Sequence, residues 1–82
     1  MSTLFLGDFM KLFERLKYLR ETRHLLKKDI AASCGMSLRA YQYYESGERE
    51  PVASTLITLA DFYDVSLDYL VGRTENPGSH KM

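Results

Sequence analysis

Cysteine is nearly absent. Cys34 stands alone, so no disulfide can form within the chain, and a reducing, intracellular compartment fits best. No apolar run approaches the roughly 18 residues a membrane span requires. The N-terminal MSTLFLGDFM is apolar at Leu4, Phe5 and Leu6, yet it lacks the basic start of a signal peptide and is too short for one. Two histidines, His24 and His80, make no metal-ligand set with a single cysteine, so neither a metal nor a cofactor is expected. His24 reads as an exposed link residue and Cys34 as a small core residue. The chain has no glycine-rich phosphate loop, no nucleophile beside a base and no carboxylate pair placed for acid–base work, which argues against an enzyme. No stretch alternates with a period of two over a useful length, and there are no repeats or low-complexity segments, so no strands are expected.

What remains is one small domain. The 82 residues allow only a modest core, and a composition of 45% hydrophobic and 27% charged residues is that of a globular chain. The net charge of zero conceals a polarity. Residues 9–49 hold nine Lys/Arg against five Asp/Glu, or +4; residues 50–82 hold two against five, or −3; Asp8 supplies the last −1. A local basic surface, and not the total, decides whether a polyanion is attracted. An excess of four over forty residues is also ordinary surface charge, so this distribution alone leaves both readings open.

Helical periodicity organises the chain. Residues 10–23 place Leu12, Phe13, Leu16 and Leu19 in one buried stripe, with Lys11, Glu14, Arg15, Lys17 and Glu21 on the outer faces. A short second helix over KKDIAASC puts Ile30, Ala31 and Cys34 at helical spacing. GMS interrupts it: Gly35 suits a C-terminal position with positive φ, and Ser37 is a good N-cap for a third helix over residues 38–45. Gly47 stops that helix and Pro51 permits a fourth, VASTLITLADFY, with Leu56, Leu59, Ala60 and Tyr63 on one face and Ile57 nearby. Ser66 caps a fifth, LDYLVG, with Asp68 near its positive end and Gly72 closing it. The expectation is all-α: an N-terminal extension (1–9), a compact five-helix domain (10–74) and a frayed polar tail (75–82).

Two helices of about eight residues joined by a tight glycine turn are the signature of a helix-turn-helix, here at about residues 27–45. In that motif the second helix lies in the DNA major groove. Ala31 is small where the helices must close, Gly35 makes the turn, and Ile30 with Met36 fills the space between them. Short helical hairpins without this role also exist.

The stretches RLKYLRE, DIAASCGMS, YESGEREP and LITLADFYDVSLDYLVGR occur in order over about residues 13–74. Together they resemble the Xre-type, Cro/repressor-like helix-turn-helix transcriptional regulators. The resemblance implies a five-helix, lambda-repressor-like fold that binds double-stranded operator DNA as a homodimer. It implies a repressor of bacterial or phage type, cytoplasmic and nucleoid-associated when bound. It also implies that Glu45 pairs with Arg20 of the first helix, as a structural lock and not a catalytic acid. The first turn and outward face of the third helix would contact bases, which maps to Leu38, Arg39, Gln42 and Tyr43. Arg39 can bond guanine O6 and N7, Gln42 adenine N6 and N7 although its position more often lies beside the reader, Leu38 can pack on a thymine methyl, and Tyr43 can reach a phosphate or pack on a base edge.

The sequence departs from the family pattern at the start of the second helix, where a capping Thr or Ser followed by Gln is usual. Leu26 cannot cap, at a cost of about 1 kcal/mol. Lys27 and Lys28 sit at the positive end of the helix, unfavourably unless a phosphate is held there; the alternative is that they are solvated beside Asp29. Val52 likewise stands where a capping Ser is preferred. Ser37, Ser46 and Arg49 complete the phosphate-contacting candidates, with Glu48 and Glu50 weakening Arg49. On the third helix a rotation of about 100° per residue separates the tyrosines: Tyr41 and Tyr44 turn inward, Tyr43 outward with Arg39. The rival reading is a protein-interaction module or antitoxin-like partner protein. It would use the exposed apolar residues Leu4, Phe5, Leu6 and Phe9 of the extension, with Tyr69 or Val71, to hold a protein partner or antirepressor; the same residues could equally form the homodimer.

Overall fold

The computed structural model describes residues 10–78. Five helices follow one another: α1 (Leu12–Thr22), α2 (Lys27–Ser33), α3 (Leu38–Ser46), α4 (Ala53–Tyr63) and α5 (Leu67–Leu70), with no strand among the described residues. Leu4, Phe5, Leu6, Phe9 and His80, singled out above, lie outside that range.

Each helix ends where the chain chemistry demands it. At the start of α1 the Glu14 carboxylate accepts the Lys11 N–H at 3.0 Å, satisfying a donor that the helix leaves orphaned. His24 enters the left-handed region (φ 56°), and the Leu25 N–H turns back to the Arg20 carbonyl at 3.0 Å. Gly35 (φ 72°) ends α2, with the Met36 N–H on the Ala31 carbonyl at 3.0 Å. Nothing lies within 4 Å of where its Cβ would stand, so this turn needs glycine for its dihedral and not for space. Ser37 Oγ accepts the Ala40 N–H and Ser66 Oγ the Tyr69 N–H, each at 3.0 Å, capping α3 and α5. At Gly47 (φ 85°) both reasons apply, because a Cβ would also press on the Phe13 ring at 3.1 Å. Leu26 and Val52 begin α2 and α4 with no side-chain cap.

The core is one cluster drawn from every helix: Leu16 and Leu19, Ile30 and Ala31, Tyr41, Leu59, Ala60 and Tyr63, then Val65, Tyr69 and Leu70. Burying a side chain such as Leu16 contributes about 1.5–3 kcal/mol. The inward faces of α1 and α2 thereby form a seat for α3, and Ala31 is buried where α2 meets it.

Two expectations are corrected. Arg15 is not on an outer face; it is 2% exposed. Leu12, Arg15, Leu16 and Leu19 form a stripe with spacing i, i+3, i+4, i+7, and Arg15 fills its place by laying its guanidinium over the Tyr69 ring, 4.0 Å from the centroid. Tyr69, taken as an exposed apolar candidate, is therefore buried. Beyond α5, Glu75 accepts from Arg15 at 2.9 Å, and the Pro77 carbonyl accepts the Ser66 N–H at 2.7 Å. That bond gives the first amide of the α5 cap a partner.

Candidate functional site

Helix α3 has two unlike faces. Its inner face carries Tyr41, fully buried, and Glu45, 7% exposed. Tyr44 is half-buried against the core, between α1 and α4 residues: with Leu12, Phe13, Leu56 and Val71 it lines a cleft of about 490 Å³. The outer face carries Leu38, Arg39 and Gln42 in the open, with Tyr43 half-buried beside them. An exposed leucine beside an arginine and a glutamine gives this face one apolar contact and two sets of paired hydrogen-bonding groups.

The inner face is locked to α1. Arg20 donates from Nε to Glu45 Oε2 at 2.9 Å and from Nη2 to Oε1 at 2.7 Å, a two-pronged geometry that fixes direction as well as distance. Burial opposes ionisation of Glu45, but the hydrogen bonds and positive charge of Arg20 outweigh it and hold the carboxyl below its ordinary range. The same hydrogen bond raises Arg20. Behind the pair, burial pushes the Tyr41 hydroxyl far upward and that of Tyr63 up to about 12. Both hydroxyls are neutral packing groups and neither is an acid at working pH.

Beside α3 runs a polar groove of about 390 Å³ lined by Lys17, Lys27, Gln42 and Ser46, with Arg20, Glu21 and Glu45. It brings the start of α2 next to the outer face of α3. The spacing puts Lys17 only on a solvated face; the groove is where it joins Lys27. Lys28 is exposed. Ser37 and Ser46 are committed elsewhere: Ser37 Oγ to the helix cap, and Ser46 Oγ to the Tyr43 carbonyl at 3.1 Å and Glu48 Oε1 at 3.0 Å. A hydroxyl has one proton to donate, so an anion at Ser46 must displace one of these acceptors. Arg49 reaches back to α3, its guanidinium 4.6 Å from the Tyr43 ring centroid. Among the described residues no group of three His, Cys, Asp or Glu is placed to hold a metal, and no helix is long and apolar enough to cross a membrane.

Comparison with known proteins matches residues 16–70 to the helix-turn-helix family. An uncharacterized HTH-type transcriptional regulator of Bacillus subtilis, YobD, is 36% identical over 64 residues, covering 78% of this chain and 57% of that protein. The cryptic phage CTXphi transcriptional repressor RstR of Vibrio cholerae is 39% identical over 64 residues, with the same coverages of 78% and 57%. Among solved structures, a transcriptional regulator from Listeria innocua superposes with a TM-score of 0.72 at 35% identity, over 76% of this chain and 58% of that one. The P22 c2 repressor, solved in complex with synthetic operator 9T, superposes with a TM-score of 0.71 at 26% identity, over 76% and 94%. The chain thus spans little more than half the length of the curated relatives it matches.

Proposed function

Since the chain belongs to the Xre-type helix-turn-helix family of transcriptional regulators, we propose that it binds double-stranded DNA sequence-specifically and represses transcription by occupying an operator. The observation that carries this reading is the division of α3. Its inner face is locked by Arg20 and Glu45, and its outer face offers Leu38, Arg39, Gln42 and Tyr43 together. A locked helix holds its base-contacting groups before binding, so less side-chain and backbone freedom is lost in the complex. Arg39 and Gln42 supply the base-edge hydrogen bonds, each good bidentate pair being worth about 1–3 kcal/mol of discrimination. Lys27, Lys28 and Arg49, joined by Lys17, supply the phosphate contacts that set affinity and salt dependence. Ser37 and Ser46 contribute less, because their hydroxyls already serve the protein. The repressor relatives, one of them solved on its operator, support the same reading. A homodimer would set two copies of α3 about 34 Å apart on a palindromic site.

The test is selection of binding sites from a random duplex library at low and at moderate salt, followed by titration of the selected site. The expected result is a defined, two-fold symmetric sequence. Its affinity falls with salt, and Lys27→Ala lessens the slope by about 1. Enrichment of no sequence, or binding indifferent to salt, would overturn the reading in favour of a protein-interaction module.

A further inference from the structure

On the outer face of α3, Tyr43 sits between two arginines. Arg39, four positions earlier, donates from Nε to the Tyr43 hydroxyl at 3.0 Å, with its guanidinium carbon 5.7 Å from the ring centroid. Arg49, from the turn after the helix, stacks its guanidinium 4.6 Å from the same centroid. None of the ion pairs formed among the described residues involves either arginine, so both charges are available to a polyanion.

A guanidinium can meet a guanine edge in two ways, with its Nε and one terminal nitrogen or with its two terminal nitrogens. The bond to Tyr43 occupies Nε. It removes the first arrangement and leaves the Nη1/Nη2 pair free. Arginine also loses much rotamer freedom on binding, and a side chain tethered beforehand loses less. The tyrosine uses an oxygen lone pair and its ring for these contacts, so one side chain serves both arginines.

We propose that Tyr43 is a positioning residue for sequence readout: its hydroxyl aims the terminal edge of Arg39 at one guanine, and its ring directs Arg49 to the neighbouring phosphate. This rests on the DNA-binding reading above and adds the division of labour within it.

Tyr43→Phe isolates the hydroxyl, because the ring and its stack with Arg49 remain. Two measurements on the full chain test the proposal. In the free protein, hydrogen exchange at Arg39 Nε is expected to be slower than at the exposed Arg73, and faster by about tenfold in Tyr43→Phe, the scale of one hydrogen bond. Equal exchange rates in the two proteins would overturn the tether whatever the chain binds. In binding-site selection, Arg39→Ala identifies the base pair that Arg39 reads. Tyr43→Phe is expected to lower discrimination at that pair about tenfold. It should leave the other positions and random-duplex affinity unchanged, and add nothing in the Arg39→Ala background. A loss that persists in that background would show that Tyr43 contacts DNA itself and would overturn the positioning role. A normal tether with no selected sequence would instead sink the DNA-binding reading, and the role in readout with it.

Discussion

Arg15 and Arg20 lie five positions apart on α1, and both are withdrawn from water, yet they are anchored differently. Arg20 meets a carboxylate whose side chain is 5% exposed, through a two-pronged contact. Arg15 meets one whose side chain is 53% exposed, through a single contact at 2.9 Å; the rest of its support is the Tyr69 ring, and its Nε has no partner. The first pair joins two helices that must keep a fixed relation if α3 is to present its outer face. The second joins α1 to a segment beyond the last helix. The difference separates a pair that sets geometry from a pair that covers a core edge.

Removing the geometry-setting partner should have the largest effect. Arg20→Ala leaves Glu45 charged, buried and without its main donor, which costs about 3–5 kcal/mol. The melting temperature should fall steeply, and DNA binding with it. A melting temperature within a few degrees of wild type would show that the pair is as dispensable as a surface one. Acid provides a reversible version of this test. The folded-state pKa of Glu45 is depressed, so its contribution is present above the ordinary glutamate range and is lost as pH falls through the depressed folded value. Denaturant titrations from neutral pH downward should show that loss in the wild type. Glu45→Gln should flatten it, and an unchanged pH profile in the variant would assign the acid sensitivity elsewhere.

Arg15→Ala should cost less, about 1–3 kcal/mol. It strips packing and a cation–π contact from Tyr69, but it leaves Glu75 in water, where the carboxylate needs no partner. Chemical denaturation would measure the loss. If it equalled that of Arg20→Ala, the distinction between the two anchors would collapse.

Which parts of this arrangement were legible follows from how far apart the cooperating residues lie. Ser37, Gly35 and Gly47 act within their own turns, so the boundaries of α3 could be argued from residue type alone. Its two faces followed from rotation per residue, because inward and outward sides of one helix are local geometry. The link between Arg20 and Glu45 came only through family resemblance, since nothing in their own neighbourhoods joins them. Arg15 was misplaced because a charged residue in an apolar stripe is ordinarily solvated, and its partner Glu75 is 60 positions away. His24 gave only a weak signal: histidine is enriched over most non-glycine residues at a left-handed φ such as its 56°, but adopts it far less often than glycine, and here it ends α1. The contact between Arg39 and Tyr43 has helical i, i+4 spacing, but spacing alone does not say that a phenol will occupy Nε and leave the terminal nitrogens free.

The smallest effect should come from Glu75→Gln, and it is the sharpest test of the comparison because Glu45→Gln makes the same chemical change. At Glu75 the amide oxygen can still accept from Arg15, the site is half in water, and an exposed ion pair is worth about 0–1 kcal/mol. The difference should shrink further in about 1 M salt, where the screening length falls to about 3 Å. At Glu45 the same substitution places an amide N–H₂ where the second prong of Arg20 arrives, setting donor against donor inside the protein, where salt cannot reach. The two variants measured side by side at low and high salt should therefore differ in size and in salt response. A salt-insensitive loss of several kcal/mol at Glu75 would mean that the residues after α5 are as integral to the domain as α3.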